Sequence, residues 1–263
     1  MPSRSEDRVA ALRHAAFSCA TAPIFVATVL GTVLASILAI AGEEIPFLGP
    51  SRVPASAFPK FDRPVANIIS PIWGTEEERD AADEVGQVVR WLGISSTMTV
   101  ADIGAGSGYY TVRLSPIVGP NGRVIAEDVR ADYLQGLRQR VRDLGLKNVV
   151  IGLGEPHDPR LPSGSIYVAI LVHAYHEIAQ PYALLYNLAP ALKSGGRIGI
   201  VDATKKTLEH GTPPTLLRCE LASVGYQEIG FHPLSGSDTY LAIFATPSVS
   251  GRPEPESVTV CKE

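Results

Sequence analysis

The stretch Val100-Ala-Asp-Ile-Gly-Ala-Gly-Ser-Gly-Tyr-Tyr-Thr111 runs from an apolar strand directly into a turn that has glycine at every second position. Glycine adopts positive φ angles without strain, and it allows a ligand to lie against bare backbone. The spacing is G-x-G-x-G, whereas a dinucleotide-binding turn needs G-x-G-x-x-G, and Tyr109 occupies the position of its third glycine. The sequence therefore predicts a ligand-binding turn and weakens the interpretation of a pyrophosphate ligand.

An acidic residue, Asp102, stands two positions before the first glycine of this turn. A carboxylate at the end of a strand favours a ligand with a positive charge or an amino group over a phosphate. The whole pattern resembles the first motif of class I S-adenosylmethionine-dependent methyltransferases. This resemblance implies S-adenosylmethionine as the cofactor, with its methionine part bound by Asp102, Gly104, Ala105, Gly106 and Gly108.

Composition limits the other classes of function. The chain has 263 residues, enough for one substantial domain, and its formal net charge of -4 gives no basic surface for nucleic acid. Its histidines and three cysteines lack the spacing of a metal site, so none is predicted. Cys219 and Cys261 could pair in an exported protein, but unpaired cysteines are the expected state.

The first 42 residues read as a membrane segment. Residues 15–42 contain no Asp, Glu, Lys or Arg, and about 20 apolar helical residues cross a bilayer core. Arg4, Arg8 and Arg13 precede this run, as in a cleaved signal peptide or a retained anchor. The segment thus predicts a hydrophobic helix and a membrane-associated protein or one exported to the periplasm. The positive-inside rule places the domain outside the cytoplasm, whereas a cytosolic cofactor argues for the inside, so the side stays open.

The rest of the chain divides by composition into three parts. Residues 43–73 are rich in proline and predict an extended tether. Residues 74–246 form the predicted methyltransferase domain, and residues 247–263 predict a flexible tail.

Short β-rich runs alternate with helical patterns through the domain, which predicts an α/β fold with a mostly parallel sheet covered on both faces. The predicted strands are 98–103, 123–128, 148–152, 165–173, 197–202, 226–231 and 240–246. The predicted helices are 76–91, 109–117, 131–144, 181–192 and 213–224. The family resemblance implies a Rossmann-like, doubly wound sheet whose last strand is antiparallel.

Two further segments resemble cofactor-binding parts of the family. The second strand ends in Asp128, the acid of the family pattern G-R-V-x-A-x-D, which implies contact with the ribose hydroxyls. The loop at residues 154–162 resembles the loop around adenine, with Glu155 and Asp158 at its acid positions. Pro156 removes a backbone donor there, so His157 is assigned the N–H contact and Glu155 becomes the weaker candidate.

A dense cluster of His173, Tyr175, His176 and Glu177 follows the fourth strand. Either imidazole is suited to take a proton from a substrate hydroxyl, with Glu177 orienting it. The alternative is structural, with one histidine bonding the strand end and Glu177 capping the next helix. His210, in the loop after the fifth strand, and Asp202, at the end of that strand, are weaker candidates.

The combined prediction is a methyltransferase, membrane-tethered or exported, that acts on a small-molecule or lipid-like acceptor. The runs W-G-T-E-E-E-R-D, P-H-D-P-R-L-P and A-Y-H-E-I are similar to bacterial methyltransferase-domain proteins of unassigned substrate. The alternative is a binding protein that has kept the fold and the cofactor groove and lost catalysis.

Overall fold

A computed structural model of the chain describes residues 44–68 and 76–263. Seven strands in these ranges form one sheet, in the order β3-β2-β1-β4-β5-β7-β6. The strands are β1 (Thr99–Ile103), β2 (Arg123–Asp128), β3 (Val149–Leu153), β4 (Ile166–Val172), β5 (Leu192–Ala203), β6 (Gln227–Pro233) and β7 (Thr239–Ala245). Strands β1 to β5 are parallel, and β7 pairs antiparallel with β5 and β6. The predicted doubly wound sheet with an antiparallel last strand is confirmed.

The helices are α1 (Glu76–Ala81), α2 (Glu84–Leu92), α3 (Tyr109–Val118), α4 (Ala131–Asp143), α5 (Pro181–Leu188) and α6 (Pro214–Ser223). The predicted helix 76–91 is in fact two helices, because Asp83 between them has a left-handed φ of 50°. The predicted helix 181–192 ends four residues early and continues as a 3-10 turn, Ala189–Ala191. Pro190 in this turn has no N–H to donate to an α-helical hydrogen bond.

The strands alternate their side chains between two buried layers. Val100 and Val168 pack with residues of α2 and α3 on one face of the sheet. Ala101 and Ala169, the next residues along each strand, pack with α5 and α6 on the other face. Because both faces are covered, the central strands are apolar throughout, as in other parallel sheets.

Strands β1 and β4 lie side by side at the centre of the sheet, where Ile103 pairs with Leu171. The chain builds outward from this pair in opposite directions, through β2 and β3 on one side and β5 on the other. Open α/β sheets bind ligands in the crevice at the carboxyl ends of such a strand pair. The order of the strands therefore positions the glycine turn after β1 beside the cluster after β4.

The described part of the predicted tether packs against the domain. Ile45 and Ala66 are buried. The guanidinium of Arg63 is fully buried, and its Nε lies 2.9 Å from Oε1 of Glu220 in α6. The described part of the proline-rich segment therefore belongs to the folded unit.

The C-terminal segment also differs from the prediction of a flexible tail. Val258 and Cys261 are buried, and a disulfide joins Cys261 to Cys219 in α6. The expectation of unpaired cysteines was therefore wrong. Two cysteines separated by 42 residues carry no local pattern that reveals their pairing, since the contact depends on how the tail folds back.

The predicted membrane segment, residues 1–42, lies outside the described residues. Within residues 44–68 and 76–263, no helix is long and apolar enough to cross a bilayer.

Candidate functional site

A cavity of about 240 Å³ opens at the carboxyl ends of β1, β2 and β4. It is lined by parts of the glycine turn, by acids at the strand ends and by the segment after β4. Seven of the predicted site residues line it: Asp102, Gly104, Ala105, Gly106, Asp128, His173 and Glu177. The topology thus brings together residues from three separate strands at one site.

The glycine turn presents bare backbone to this cavity. Gly104, Gly106 and Gly108 have φ angles of 71°, 53° and 84°. A Cβ on Gly106 would meet no atom within 4 Å, so this position faces open space. Gly108 does not line the cavity; its Cβ would lie 2.2 Å from Cδ1 of Leu137, and it permits the close packing of α3 against α4.

The carboxylate of Asp102 lies at the end of β1 and is only 3% exposed. Its Oδ2 accepts a hydrogen bond of 2.6 Å from the hydroxyl of Thr111. Burial raises the pKa of Asp102 to about 6, because a low dielectric disfavours the charged form. A positively charged ligand in the cavity would stabilise that charged form.

Asp128 ties the end of β2 to the glycine turn. Its Oδ2 accepts a hydrogen bond from the N–H of Gly106 at 2.9 Å, and its Oδ1 accepts one from the N–H of Arg130 at 2.8 Å. A carboxylate offers about four lone-pair sites, so these two bonds leave capacity for a ligand. The predicted acid therefore lies at the cavity and also holds its wall in place.

A neighbouring acid, Glu127, lines the same cavity and was passed over as a site residue. Burial and the nearby charge of Asp128 raise the pKa of Glu127 well above its ordinary value. Gly154 makes room for this side chain, since a Cβ there would lie 1.6 Å from Oε1 of Glu127. The sequence signal for Glu127 was its position beside Asp128, since two successive acids end the strand.

Asp158 and His157, predicted to contact the cofactor, do not line the cavity. Asp158 is fully buried, and its carboxylate accepts hydrogen bonds from the N–H groups of Arg52 and Arg160 at 2.8 and 2.9 Å. The carbonyl of His157 accepts a bond of 2.9 Å from Nδ2 of Asn187. Arg52 comes from the distant tether, so the sequence around Asp158 held no sign of this buried ion pair.

The predicted catalytic cluster is divided by the 3-10 turn Tyr175–Glu177, which directs successive side chains to different surroundings. His173 and Glu177 line the cavity. Tyr175 is fully buried in the core, and its hydroxyl donates a hydrogen bond of 2.8 Å to Glu220. His176 is also fully buried, with Nδ1 2.9 Å from Oδ1 of Asp202. Tyr175 and His176 therefore lie outside the cavity in which they were predicted to act.

His173 has a left-handed φ of 52°, an uncommon conformation that often marks functional positions. Its Nε2 lies 3.7 Å from Oε2 of Glu84, the first residue of α2. Burial alone would raise the pKa of Glu84, but the hydrogen bonds from His173 and Arg79 outweigh burial and hold the pKa of Glu84 at about 2. Glu84 is thus an ionised partner for the imidazole.

Arg79 is a second residue of this site that the sequence interpretation missed. It lines the cavity, and its guanidinium lies 2.6 Å from Oε1 of Glu84 and 3.7 Å from the ring centroid of Tyr109. The helical pattern of residues 76–91 indicated only a packing helix. The polar residues of that segment include Arg79, which lines the cavity, and its partner Glu84.

Comparison with known proteins places this geometry in a family. The family pattern described as Protein-L-isoaspartate(D-aspartate) O-methyltransferase (PCMT) matches residues 64–207. A Protein-L-isoaspartate O-methyltransferase of Aeropyrum pernix is 30% identical over 198 residues, covering 72% of each chain. The Ubiquinone/menaquinone biosynthesis C-methyltransferase UbiE of Pseudomonas savastanoi pv. phaseolicola is 28% identical over 116 residues, covering 44% of this chain. That match spans 45% of the UbiE protein, less than half of its length.

Solved structures show the same fold. A SAM dependent methyltransferase from Aquifex aeolicus superposes with a TM-score of 0.59 at 21% identity, covering 66% of this chain and 99% of its own. The YcgJ protein of Bacillus subtilis gives a TM-score of 0.52 at 15% identity, covering 62% of this chain and 98% of its own.

Proposed function

The chain belongs to the protein-L-isoaspartate(D-aspartate) O-methyltransferase family of S-adenosylmethionine-dependent methyltransferases, and we propose that it methylates a small or lipid-like acceptor at a membrane. The observation that carries the proposal is the acid-lined cavity at the bare glycine turn. Three buried carboxylates, Asp102, Glu127 and Asp128, suit a ligand that is a cation.

The residues of the cavity fit this cofactor, which supplies a methyl group activated on a positively charged sulfur. Asp102 is the proposed partner of its amino group. Gly104 and Gly106 offer backbone against which the methionine part would lie. Asp128 and Glu127 are the proposed acceptors for the ribose hydroxyls. Asp158 and His157 are not assigned to the cofactor, because neither lines the cavity.

His173 is the proposed base for an acceptor hydroxyl. An imidazole exchanges protons near neutral pH, and the ionised Glu84 would stabilise the imidazolium that forms. Glu177 lines the same region and is the proposed second polar contact of the acceptor. Tyr175 and His176 support the turn from behind and are not proposed to touch the substrate.

The acceptor is proposed to be lipid-like because apolar side chains form the remaining wall of the cavity. Ile68, Ile178 and Leu184 line it. The UbiE relatives are named for quinone biosynthesis, whereas the relative that covers more of the chain is named for protein-L-isoaspartate. These names give two acceptor classes that one assay separates.

The assay supplies the full chain with radiolabelled S-adenosylmethionine, a bacterial lipid extract and an isoaspartyl peptide. We expect label in the organic-solvent extract. Label on the peptide, released as methanol at alkaline pH, would contradict the lipid acceptor and assign a protein carboxyl group instead. An Asp132→Asn variant is the control, because this exposed acid lies outside the cavity, and Asp102→Asn should lose transfer.

We further propose that the domain is membrane-tethered and lies outside the cytoplasm. Residues 1–42 supply the apolar segment, and the Cys219–Cys261 disulfide favours an oxidising compartment. An enzyme in that position needs cofactor delivered across the membrane. Labelling of the cysteines in intact cells, before and after reduction, tests this. Free thiols on Cys219 and Cys261 in cells would contradict the placement.

A further inference from the structure

Three polar side chains converge behind the wall of the cavity: His176, Glu177 and His210. One possible ligand atom from each lies within 4.8 Å of the others. Nε2 of His176 is 3.9 Å from Oε1 of Glu177, and the rings of His176 and His210 are nearly perpendicular, with centroids 5.4 Å apart. We propose that these side chains bind a divalent transition-metal ion, with zinc as the best match.

The first support is the orientation of His176. Its Nδ1 lies 2.9 Å from Oδ1 of Asp202, and both side chains are fully buried. Asp202 is itself held by the hydroxyl of Thr212 at 2.6 Å and by the N–H of Ala203 at 2.8 Å. Metal-binding histidines usually donate their second ring N–H to a carboxylate, which fixes the ring. Asp202 has that relation to His176, and the other ring nitrogen, Nε2, lies on the side of Glu177.

The second support is His210, which comes from a different part of the chain. It follows the 3-10 turn Thr207–Glu209 and has a left-handed φ of 57°. Its Nδ1 is buried, and it has no hydrogen-bond partner within the described part of the chain. A buried polar atom without a partner is destabilising. A ligand bound at the imidazole of His210 would therefore be favourable.

The chemistry of the three ligand side chains indicates which metal ion would bind. Two imidazoles and one carboxylate match the His₂Glu set of zinc sites that keep a fourth position open. Zinc bonds of about 2.0 to 2.2 Å require the ligand atoms to close by about 1 Å from their present separation. Cys219 and Cys261 are paired with each other, so they supply no thiolate ligand.

The ion would lie at the edge of the methyltransferase cavity, because Glu177 belongs to both. Its open position would then accept an oxygen atom from the acceptor and favour the deprotonated form of a hydroxyl. This use of the ion rests on the proposed function, whereas binding of the ion does not. Local spacing does not reveal this site, since His210 lies in the loop after β5, far along the chain from His176.

The test uses the full chain without a polyhistidine tag, stripped with EDTA and kept under non-reducing conditions. We expect calorimetry with zinc chloride to give one ion per chain, and cobalt chloride to give the visible absorption bands of a low-coordinate site. Glu177→Gln and His210→Asn should each weaken zinc binding roughly tenfold or more. Asparagine tolerates the left-handed backbone at position 210, so this variant should fold.

His232→Gln is the matched control, because this histidine stacks on Trp91 at 3.7 Å and lies outside the cluster. The proposal would be overturned if the parent chain bound no zinc or if both cluster variants kept its zinc affinity. It would also be overturned if His232→Gln lost as much zinc affinity as they do. Methyl transfer by a chain that binds no zinc would refute the metal site alone. Zinc binding without methyl transfer to any acceptor would refute the proposed function alone.

Discussion

The hydroxyl of Thr111 donates a hydrogen bond of 2.6 Å to Oδ2 of Asp102, whose pKa burial has raised to about 6. This hydrogen bond favours the charged form of the carboxylate, but burial opposes it more strongly. Asp102 is therefore poorly stabilised in its ionised form until a cation arrives. Two predictions depend on this relationship.

The affinity for S-adenosylmethionine should fall as the pH falls through about 6. The cation binds the carboxylate, and below its pKa each pH unit removes about tenfold of the ionised form. Calorimetric titration between about pH 5 and pH 8 measures this. Asp102→Asn should bind weakly and with a flatter pH profile, and an unchanged profile in that variant would assign the titration to Glu127 or Asp128.

Asp102→Asn should also stabilise the protein without ligand at neutral pH. In the folded protein the pKa of Asp102 lies above its ordinary value of 3.8. Ionisation of Asp102 therefore lowers the free energy of unfolding as the pH rises from about 4 through 6. We expect the free energy of unfolding to rise by on the order of 1 to 3 kcal/mol, measured by urea denaturation. Cofactor affinity should fall by a similar amount. Asp132→Asn, an exposed control, should change neither quantity, and destabilisation by Asp102→Asn would contradict the argument.

His173→Gln should lower the turnover number more than the affinity for cofactor. His173 lines the cavity beside the ionised Glu84, and glutamine keeps the polar contact but accepts no proton at neutral pH. Steady-state kinetics with parallel calorimetry separates the two effects. Equal loss of both would identify His173 as a structural residue.

His176→Ala should act first on stability, because it leaves Asp202 buried without its imidazole partner. A buried carboxylate that loses a hydrogen-bond partner is destabilising by on the order of 1 to 3 kcal/mol. Denaturant titration measures this loss. His157→Ala is the control, because the hydrogen bond from Asn187 goes to the backbone carbonyl of His157, which the substitution keeps. If His176→Ala were as stable as the parent, the hydrogen bonds from Thr212 and Ala203 would be sufficient to stabilise the buried carboxylate of Asp202.

Reduction of the disulfide, or Cys261→Ser, should free the tail. A cross-link across 42 residues stabilises a fold by about 4 kcal/mol through the entropy of the unfolded chain. Thermal melting with and without reductant measures the change. Cys261→Ser in the same buffers is the control and should melt alike with and without reductant. Equal melting temperatures of the parent with and without reductant would show that the tail is held by packing alone.

Much of the fold could be predicted from local sequence patterns. The strand 123–128 has the predicted bounds, and the glycine turn follows β1 as expected, because strand periodicity and glycine spacing are encoded within a few residues. The same locality explains why Asp102, Asp128 and His173 were predicted at one site, and all three line the cavity. These residues stand at strand ends, which parallel topology brings to one edge of the sheet.

The predicted site residues that lie outside the cavity have partners that are distant in the chain. Asp158 is held by Arg52, and Tyr175 by Glu220, neither of which a local pattern connects. A strand-end acid looks the same in the sequence whether it faces a cavity or a buried arginine. The 3-10 turn after β4 likewise decides which of four adjacent polar side chains reach the cavity.

The main chains of Asp62 and Lys262 pair with each other in a short parallel bridge, and their side chains form an ion pair of 3.1 Å. The C-terminal segment therefore lies against the segment that leads into α1, one residue after the disulfide at Cys261. The cross-link to α6 thereby also fixes the position of the residues around Asp62, so both segments outside the sheet are held at one place on the domain.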